Sequence, residues 1–258
     1  MISTRPTHAR PQEVRADVVL ATYVAMVVTA EAVTVFINIT SGLLLHAGII
    51  VALLIRHFVR ESTIPLPVLA LPSLLRVLSF TMPIPELPMF AWYVLVGLPV
   101  IVACGLAMWA TGWSLADVGM RFRVHRSELV AVAMGLPLGW AASQVYSAPE
   151  ILLDGAGGPW LLVGVLLLFV ALPEELLFRG MVQRVFSDQL DGAGVVLGAI
   201  LFAAMYVPSL SPGLVLVMGI AGLTFGWAVA KSGNLGGAIA GHALVLASVW
   251  DLPTVVGM

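Results

Sequence analysis

Hydrophobic and polar positions in this chain alternate on the scale of whole helices, not single turns. Apolar stretches lie near 17–39, 41–59, 62–82, 89–112, 127–147, 160–183, 194–207, 213–231 and 234–250, separated by short polar or Pro/Gly-rich connections. About 20 apolar residues in a helix cross a hydrocarbon core of ~30 Å. The pattern therefore predicts an all-α fold, a polytopic transmembrane helix bundle of eight to nine spans. Segment 62–82 carries Pro65, Pro67, Pro72 and Arg76. It reads either as a ninth span or as a broken or re-entrant helix. Stretch 194–207 is short and fits a tilted or interfacial helix.

Charge supports the membrane reading and orients the chain. Of 258 residues, 60% are hydrophobic and 10% charged, too few charges for a water-facing surface. The bilayer is the expected surrounding, and a net charge of −2 offers nothing to nucleic acid. Cytoplasmic loops collect Lys and Arg. With the N-terminus inside a bacterial cytoplasmic (plasma) membrane, nine spans place Arg5, Arg10, Arg15, Arg56, Arg60, Arg121, Arg123, Arg126, Arg184 and Lys231 all inside. Without span 62–82, Arg56 and Arg60 fall on the opposite side from the later groups. Cys104 is alone, so neither an internal disulfide nor a thiolate metal site is available.

Residues 1–158 are expected to form N-terminal transmembrane helices and interfacial loops, and 159–251 a core. The first apolar stretch, with Glu31 inside it, reads as a spanning helix rather than a cleaved leader. Ser114-Leu-Ala-Asp117 predicts a capping box before a short amphipathic stretch ending in Arg121 and Arg123. Pro83, Pro85 and Pro88 mark a turn, and Gly155, Gly157 and Gly158 a loop before a helix near Trp160. Gly194/Gly198, Gly222/Gly226 and Gly237/Gly241 are small-xxx-small spacings that let helices approach closely.

The candidate chemistry lies in Pro173-Glu174-Glu175-Leu-Leu-Phe-Arg179-Gly180. An ionisable group at membrane depth costs about 2.5–3.5 kcal/mol on insertion scales, so these side chains need partners or a wet cavity. Glu175 and Arg179 are four apart on one helical face and should pair. Glu174 is turned ~100° away and is free for another role. His242, flanked by glycines in the last span, is the expected partner of this cluster, either as a ligand or as a helix-to-helix hydrogen bond. Tyr206 is placed to reach the site or to serve as an interface aromatic. Glu31 and Arg76 are expected to pair or to line an entrance, and His46 to make a packing or hydrogen-bond contact.

These residues resemble the Glu-Glu-xxx-Arg motif of the CPBP family, the CAAX prenyl endopeptidases and bacteriocin-processing (Abi) membrane proteases. Phe202-xxx-Tyr206 stands where the family has Phe-xxx-His, and Gly241-His242-Ala243-Leu244 where it has a histidine followed four later by a small polar residue. Ser114-Leu-Ala-Asp-Val-Gly119-Met-Arg121 is similar to a stretch upstream of the motif in the bacterial branch. The resemblance implies a CPBP-type core with a catalytic set of Glu174, Glu175, Arg179, Tyr206 and His242. Glu174 would activate water, Glu175 and Arg179 would support it, and His242 would stabilise the oxyanion. The family is described both as metal-dependent and as glutamate-dependent. No cofactor is expected here, and a divalent metal would fall to Glu174, Glu175 and His242. The chain departs from the pattern at Tyr206 and at Leu246, where the small polar residue should stand. Tyrosine is a poor base at neutral pH, and leucine cannot donate to an oxyanion.

The expected function is intramembrane peptide hydrolysis on a membrane-associated peptide or protein. The rivals are a pseudo-protease that binds such partners in immunity or regulation, and a proton-coupled transporter using Glu31, Glu174 and Glu175. A cavity shared by Glu174, Tyr206 and His242 and open to the inner leaflet is what the site reading expects.

Overall fold

The computed structural model describes residues 16–59, 62–82, 89–121, 125–147 and 158–249. Arg5, Arg10, Arg15, Arg60, Arg123, Pro83, Pro85, Pro88, Gly155 and Gly157 lie outside them. Among the described residues the fold is all helix, with nine apolar helices where nine apolar stretches stand. They are α1 (Ala16–Phe36), α2 (Ile39–Val59), α3 (Leu66–Thr81), α4 (Met89–Thr111), α5 (Arg126–Val145), α6 (Trp160–Leu190), α7 (Ala193–Ala204), α8 (Pro212–Ser232) and α9 (Gly236–Val249). Six of these are long and apolar enough to cross a bilayer, and α3, α7 and α9 are shorter. The protein is a polytopic helix bundle.

The distribution of side chains inverts that of a soluble domain. Phe36, Phe58 and Trp109 are 74%, 82% and 83% exposed, while Glu31, His46, Glu175 and His242 are fully buried. Water would oppose both halves of that arrangement. Lipid favours both, because polar groups there must turn to the bundle interior.

Segment 66–81 is one unbroken helix, not a broken one. Pro67 sits in its first turn, where an N–H has no helical acceptor, and Pro72 is tolerated inside. At 1.5 Å per residue its 16 residues reach about 24 Å, less than a full bilayer core.

Successive helices run antiparallel, so helix ends alternate between two faces. In α5 and α8, for example, Ser127 donates to the Ala228 carbonyl at one end, and Ser211 donates to the Val145 carbonyl at the other. Arg56, Arg121, Arg126, Arg184 and Lys231 all fall at the same end, termed here the basic end. Phe36, Thr81, Tyr146, Ser209 and Val249 lie at the far end.

Glycine brings α9 against α5. A Cβ on Gly241 would lie 2.5 Å from the Ala131 carbonyl oxygen, and one on Gly135 would lie 2.6 Å from that of Gly241. The backbones touch, as the small-residue spacing predicts, and this places His242. Gly222 packs against Ala199 of α7, and Gly226 against Gln183 of α6. Gln183 is buried and donates to the Gly226 carbonyl at 2.9 Å.

At the basic end, the Ser114–Asp117 capping bonds form, but the described residues 115–121 after them are a turn and not a helix. Ser114 N–H donates to Asp117 Oδ2 at 2.9 Å, and Asp117 N–H donates to Ser114 Oγ at 3.3 Å. They close a turn that ends at Gly119, φ +81°, where a side chain would be strained. The Ser114 hydrogen bonds, with Arg184 nearby, hold the Asp117 carboxyl below the usual carboxylate range. Arg184 donates to the Asp117 carbonyl and lies over the Trp113 ring, and Leu235 N–H donates to the Gly119 carbonyl. The turn thus ties α6 to the start of α9. A capping box that sequence reading missed opens α5, where His125 N–H donates to Glu128 Oε1 at 3.0 Å and Ser127 N–H donates to His125 Nδ1.

Candidate active site

Helix α6 changes winding around the acidic pair. An α-helical start, up to Leu166, gives way to a π turn over Leu167–Ala171. A short α segment, Leu172–Glu175, is followed by a second π stretch, Leu176–Val182, and α winding resumes over Gln183–Leu190. π turns widen the helix and concentrate at functional sites. Pro173 supplies a cause, since it cannot donate to the Phe169 carbonyl one turn earlier. That carbonyl faces Gly97 of α4, where any Cβ would collide with it.

The two carboxylates then take different partners. Glu175 Oε1 accepts from Arg179 Nη1 at 2.9 Å, the predicted pair, and also lies 2.8 Å from His242 Nδ1. A carboxylate paired with guanidinium is an acceptor, so Nδ1 carries a proton and Nε2 is turned outward. Nε2 lies 3.3 Å from the Tyr206 hydroxyl, which is 3.0 Å from Glu174 Oε2. Glu174 and His242 are 3.9 Å apart at their nearest polar atoms. Hydrogen bonding therefore runs Arg179–Glu175–His242–Tyr206–Glu174, and all five candidate residues meet.

Phe202 is the apolar platform under this chain. Arg179 Cζ lies 3.7 Å from its ring centroid, and the ring meets Phe178, Tyr206 and His242 edge-on. A desolvated cation–π contact of this kind is worth about 2 kcal/mol. Sequence reading quoted Phe202 only as part of a motif; its period on α7 resembles any apolar packing position.

Burial separates the roles. Glu175 and His242 side chains are fully enclosed, whereas Glu174 is 18% exposed. Glu174 lies on a cavity of about 500 Å³ that Tyr206, Leu246, Arg76, Trp92 and Tyr93 also line. His242 is behind Tyr206 and does not line it. Leu246 shares the His242 face of α9 and also packs on Leu162, Leu166 and Val170. Ser248 points away, its hydroxyl bonded to the Leu244 carbonyl beside Gly139.

A second polar cluster stands next to the first. Arg76 Nε donates to Glu31 Oε1 at 2.7 Å, His46 Nδ1 lies 3.1 Å from Ser73 Oγ, and His46 Nε2 is 3.5 Å from Glu31. The Glu31–Arg76 pair is thus formed as expected. What sequence did not show is that Arg76 also donates to the Met205 carbonyl, directly before Tyr206. Glu31 joins the site through that link.

Glu174, Glu175 and His242 do not fit a divalent cation. Glu175 Oε1 already accepts from Arg179 and His242, a guanidinium stands in the cluster, and only one imidazole is present. Among the described residues, no three His, Cys, Asp or Glu side chains are grouped to hold a metal. Zinc sites take three or four protein ligands, and catalytic ones keep a further position open.

A membrane helix bundle with a carboxylate, an imidazole and a phenol hydrogen-bonded beside an apolar cavity has the makings of a membrane hydrolase. The comparison with known families agrees: residues 156–247, which contain every member of the site, match the family model of the Rce1-like type II CAAX prenyl endopeptidases. The segment that carries the site is therefore similar to the Rce1-like type II CAAX prenyl endopeptidases, the family that the motif resembles. No curated protein and no solved structure matches the chain.

Proposed function

We propose that the protein hydrolyses peptide bonds within the membrane, with Glu174 as the base that activates water. The observation that carries this reading is the position of Glu174. It is the one carboxylate of the buried cluster that faces the cavity, and its Oε2 is held by the Tyr206 hydroxyl. Water on the free side of that carboxylate loses a proton to Glu174 as its oxygen attacks the peptide carbonyl carbon. Glu174 returns the proton to the amide nitrogen as the C–N bond breaks, leaving a carboxylic acid and an amine. The Tyr206 hydroxyl is the donor available to the developing oxyanion. His242 stands behind it with Nε2 3.3 Å from the phenol oxygen, and orients the hydroxyl. Glu175 and Arg179 hold His242 in the tautomer that aims Nε2 at Tyr206.

The test is cleavage of membrane peptides in liposomes by the wild type and by Glu174→Gln. The variant should assemble normally and lose hydrolysis entirely. Equal cutting by both proteins removes Glu174 from the mechanism.

One observation favours the pseudo-protease alternative. The Tyr206 hydroxyl occupies a carboxylate oxygen that water would otherwise use, and Leu246 brings no donor to the cavity. Peptide binding without cleavage, in wild type and variant alike, is the outcome that reading expects. The proposed membrane is the bacterial cytoplasmic one, with the basic end inside.

A further inference from the structure

We infer that Arg76, outside the matched segment, is a positioning residue for the site: its guanidinium fixes the turn that holds the Tyr206 hydroxyl between Glu174 and His242. Its effect on rate rests on the endopeptidase reading; its effect on Tyr206 rests on the geometry alone.

Tyr206 stands where its helix has already ended. Helix α7 closes at Ala204, and Val207–Ser209 form a 3₁₀ turn directly after Tyr206. That turn leaves the Met205 carbonyl without a donor from the chain that follows. Pro208 occupies the position that would close a turn on it, and proline has no N–H. Ser209 N–H donates instead to the Tyr206 carbonyl, and Leu210 N–H to that of Val207. Backbone carbonyls inside a membrane need a donor. Arg76 Nη2 supplies it.

The guanidinium is itself held. Its Nε donates to Glu31 Oε1 of α1 at 2.7 Å, and its Cζ lies 5.4 Å from the Phe80 ring centroid. Behind Glu31, His46 Nε2 lies 3.5 Å from the same oxygen, and His46 Nδ1 3.1 Å from Ser73 Oγ. Glu31 and Arg76 are both buried, so water does not compete for these contacts. One planar group thus bridges a carboxylate on α1 and the backbone after α7 in a fixed geometry. Neutralising Glu31 alone would need no bond to that carbonyl. The Tyr206 hydroxyl lies 3.0 Å from Glu174 Oε2 and 3.3 Å from His242 Nε2. Both are long for bonds of their kind, so a small shift of the turn breaks one of them.

The test removes both charges together, because a lone one would be left uncompensated. Full-length Arg76→Gln with Glu31→Gln is compared with the wild type. Arg76→Met with Glu31→Leu takes its place should melting in detergent show that the first pair folds poorly. A fluorotyrosine is placed at Tyr206 by nonsense suppression and read by fluorine NMR, and kcat and KM are measured on one membrane peptide in liposomes. The Tyr206 line should shift or split in the paired variant. Its kcat should fall by up to roughly 10²-fold, the scale of a misplacement of about 1 Å, with KM little changed. Adding Pro208→Ala supplies an N–H for the Met205 carbonyl and should restore the line and most of kcat. A role confined to pairing α1 with α3 would not respond at Pro208. A Tyr206 line that the pair leaves unmoved overturns the inference. So does a kcat equal to that of an active wild type, or a loss that Pro208→Ala does not relieve. A line that moves and is restored, in a protein that cuts no peptide, leaves the positioning standing and removes the endopeptidase reading.

Discussion

Tyr206 is the residue on which the chemistry turns. Its hydroxyl lies between Glu174 and His242, within hydrogen-bond reach of both. One proton shared along that line can rest on Glu174 or on His242 with the phenol as bridge, and the site's net charge is the same in both states. A phenol serves this bridging role but is a weak base. Tyr206→His should therefore raise hydrolysis by giving Glu174 a stronger partner for its water. Adding Leu246→Asn should raise it further, because a single oxyanion donor is typically worth ~10²–10³ in rate. Initial rates on one membrane peptide, for wild type, single and double variants, check both steps. Unchanged or lower rates in both variants would mean that Tyr206 is not standing in for a base.

At the scale of elements, α6 is held by ion pairs its neighbours complete. Arg179 and Glu175 are buried within one helix, and His242 of α9 bonds to the same carboxylate oxygen. Removing one member of a buried pair typically costs about 3–5 kcal/mol, because the other is left uncompensated. Arg179→Ala should thus lower the melting temperature and membrane yield clearly more than Glu174→Gln, whose side chain is partly open to the cavity. Thermal unfolding in detergent measures the difference; equal melting temperatures would show the pair to be dispensable. Arg76 does for α3 what Arg179 does for α6: it joins α1 through Glu31 and reaches the Met205 carbonyl, so the N-terminal helices bear directly on Tyr206.

Over the whole molecule, alternation of nine helices gathers the basic residues at one end. The basic-end turn also ties α6 to α9 there. Reporters fused after Val59, Trp113 and Ser232 should all read cytoplasmic. A periplasmic signal after Val59 or Trp113 would break the alternation. The N-terminal helices also build the site: α3 and α4 form cavity walls, and α5 is packed backbone to backbone on α9.

Nine helices, their alternation and the two-ended charge pattern were legible in the chain alone. A long apolar segment in lipid has no partner for its backbone except itself, so local composition dictates the helix. The Glu175–Arg179 pair was legible for the same reason, since four residues on a helix is a local spacing. Contacts between distant segments were legible only as candidates, Glu31 with Arg76 and His242 with the acidic pair. His242 meets Glu175 across 67 residues, Tyr206 meets His242 across 36, and Arg76 meets Met205 across 129. The family resemblance nominated some of those residues, but neither periodicity nor spacing says which faces of two helices will touch. Only packing decided that Glu174 and not Glu175 faces the cavity, and that Arg76 reaches the residue before Tyr206. Apolar faces in lipid lack the strong hydrophobic drive that orients a helix in water, so close glycine contacts and buried polar bonds set each helix's rotation.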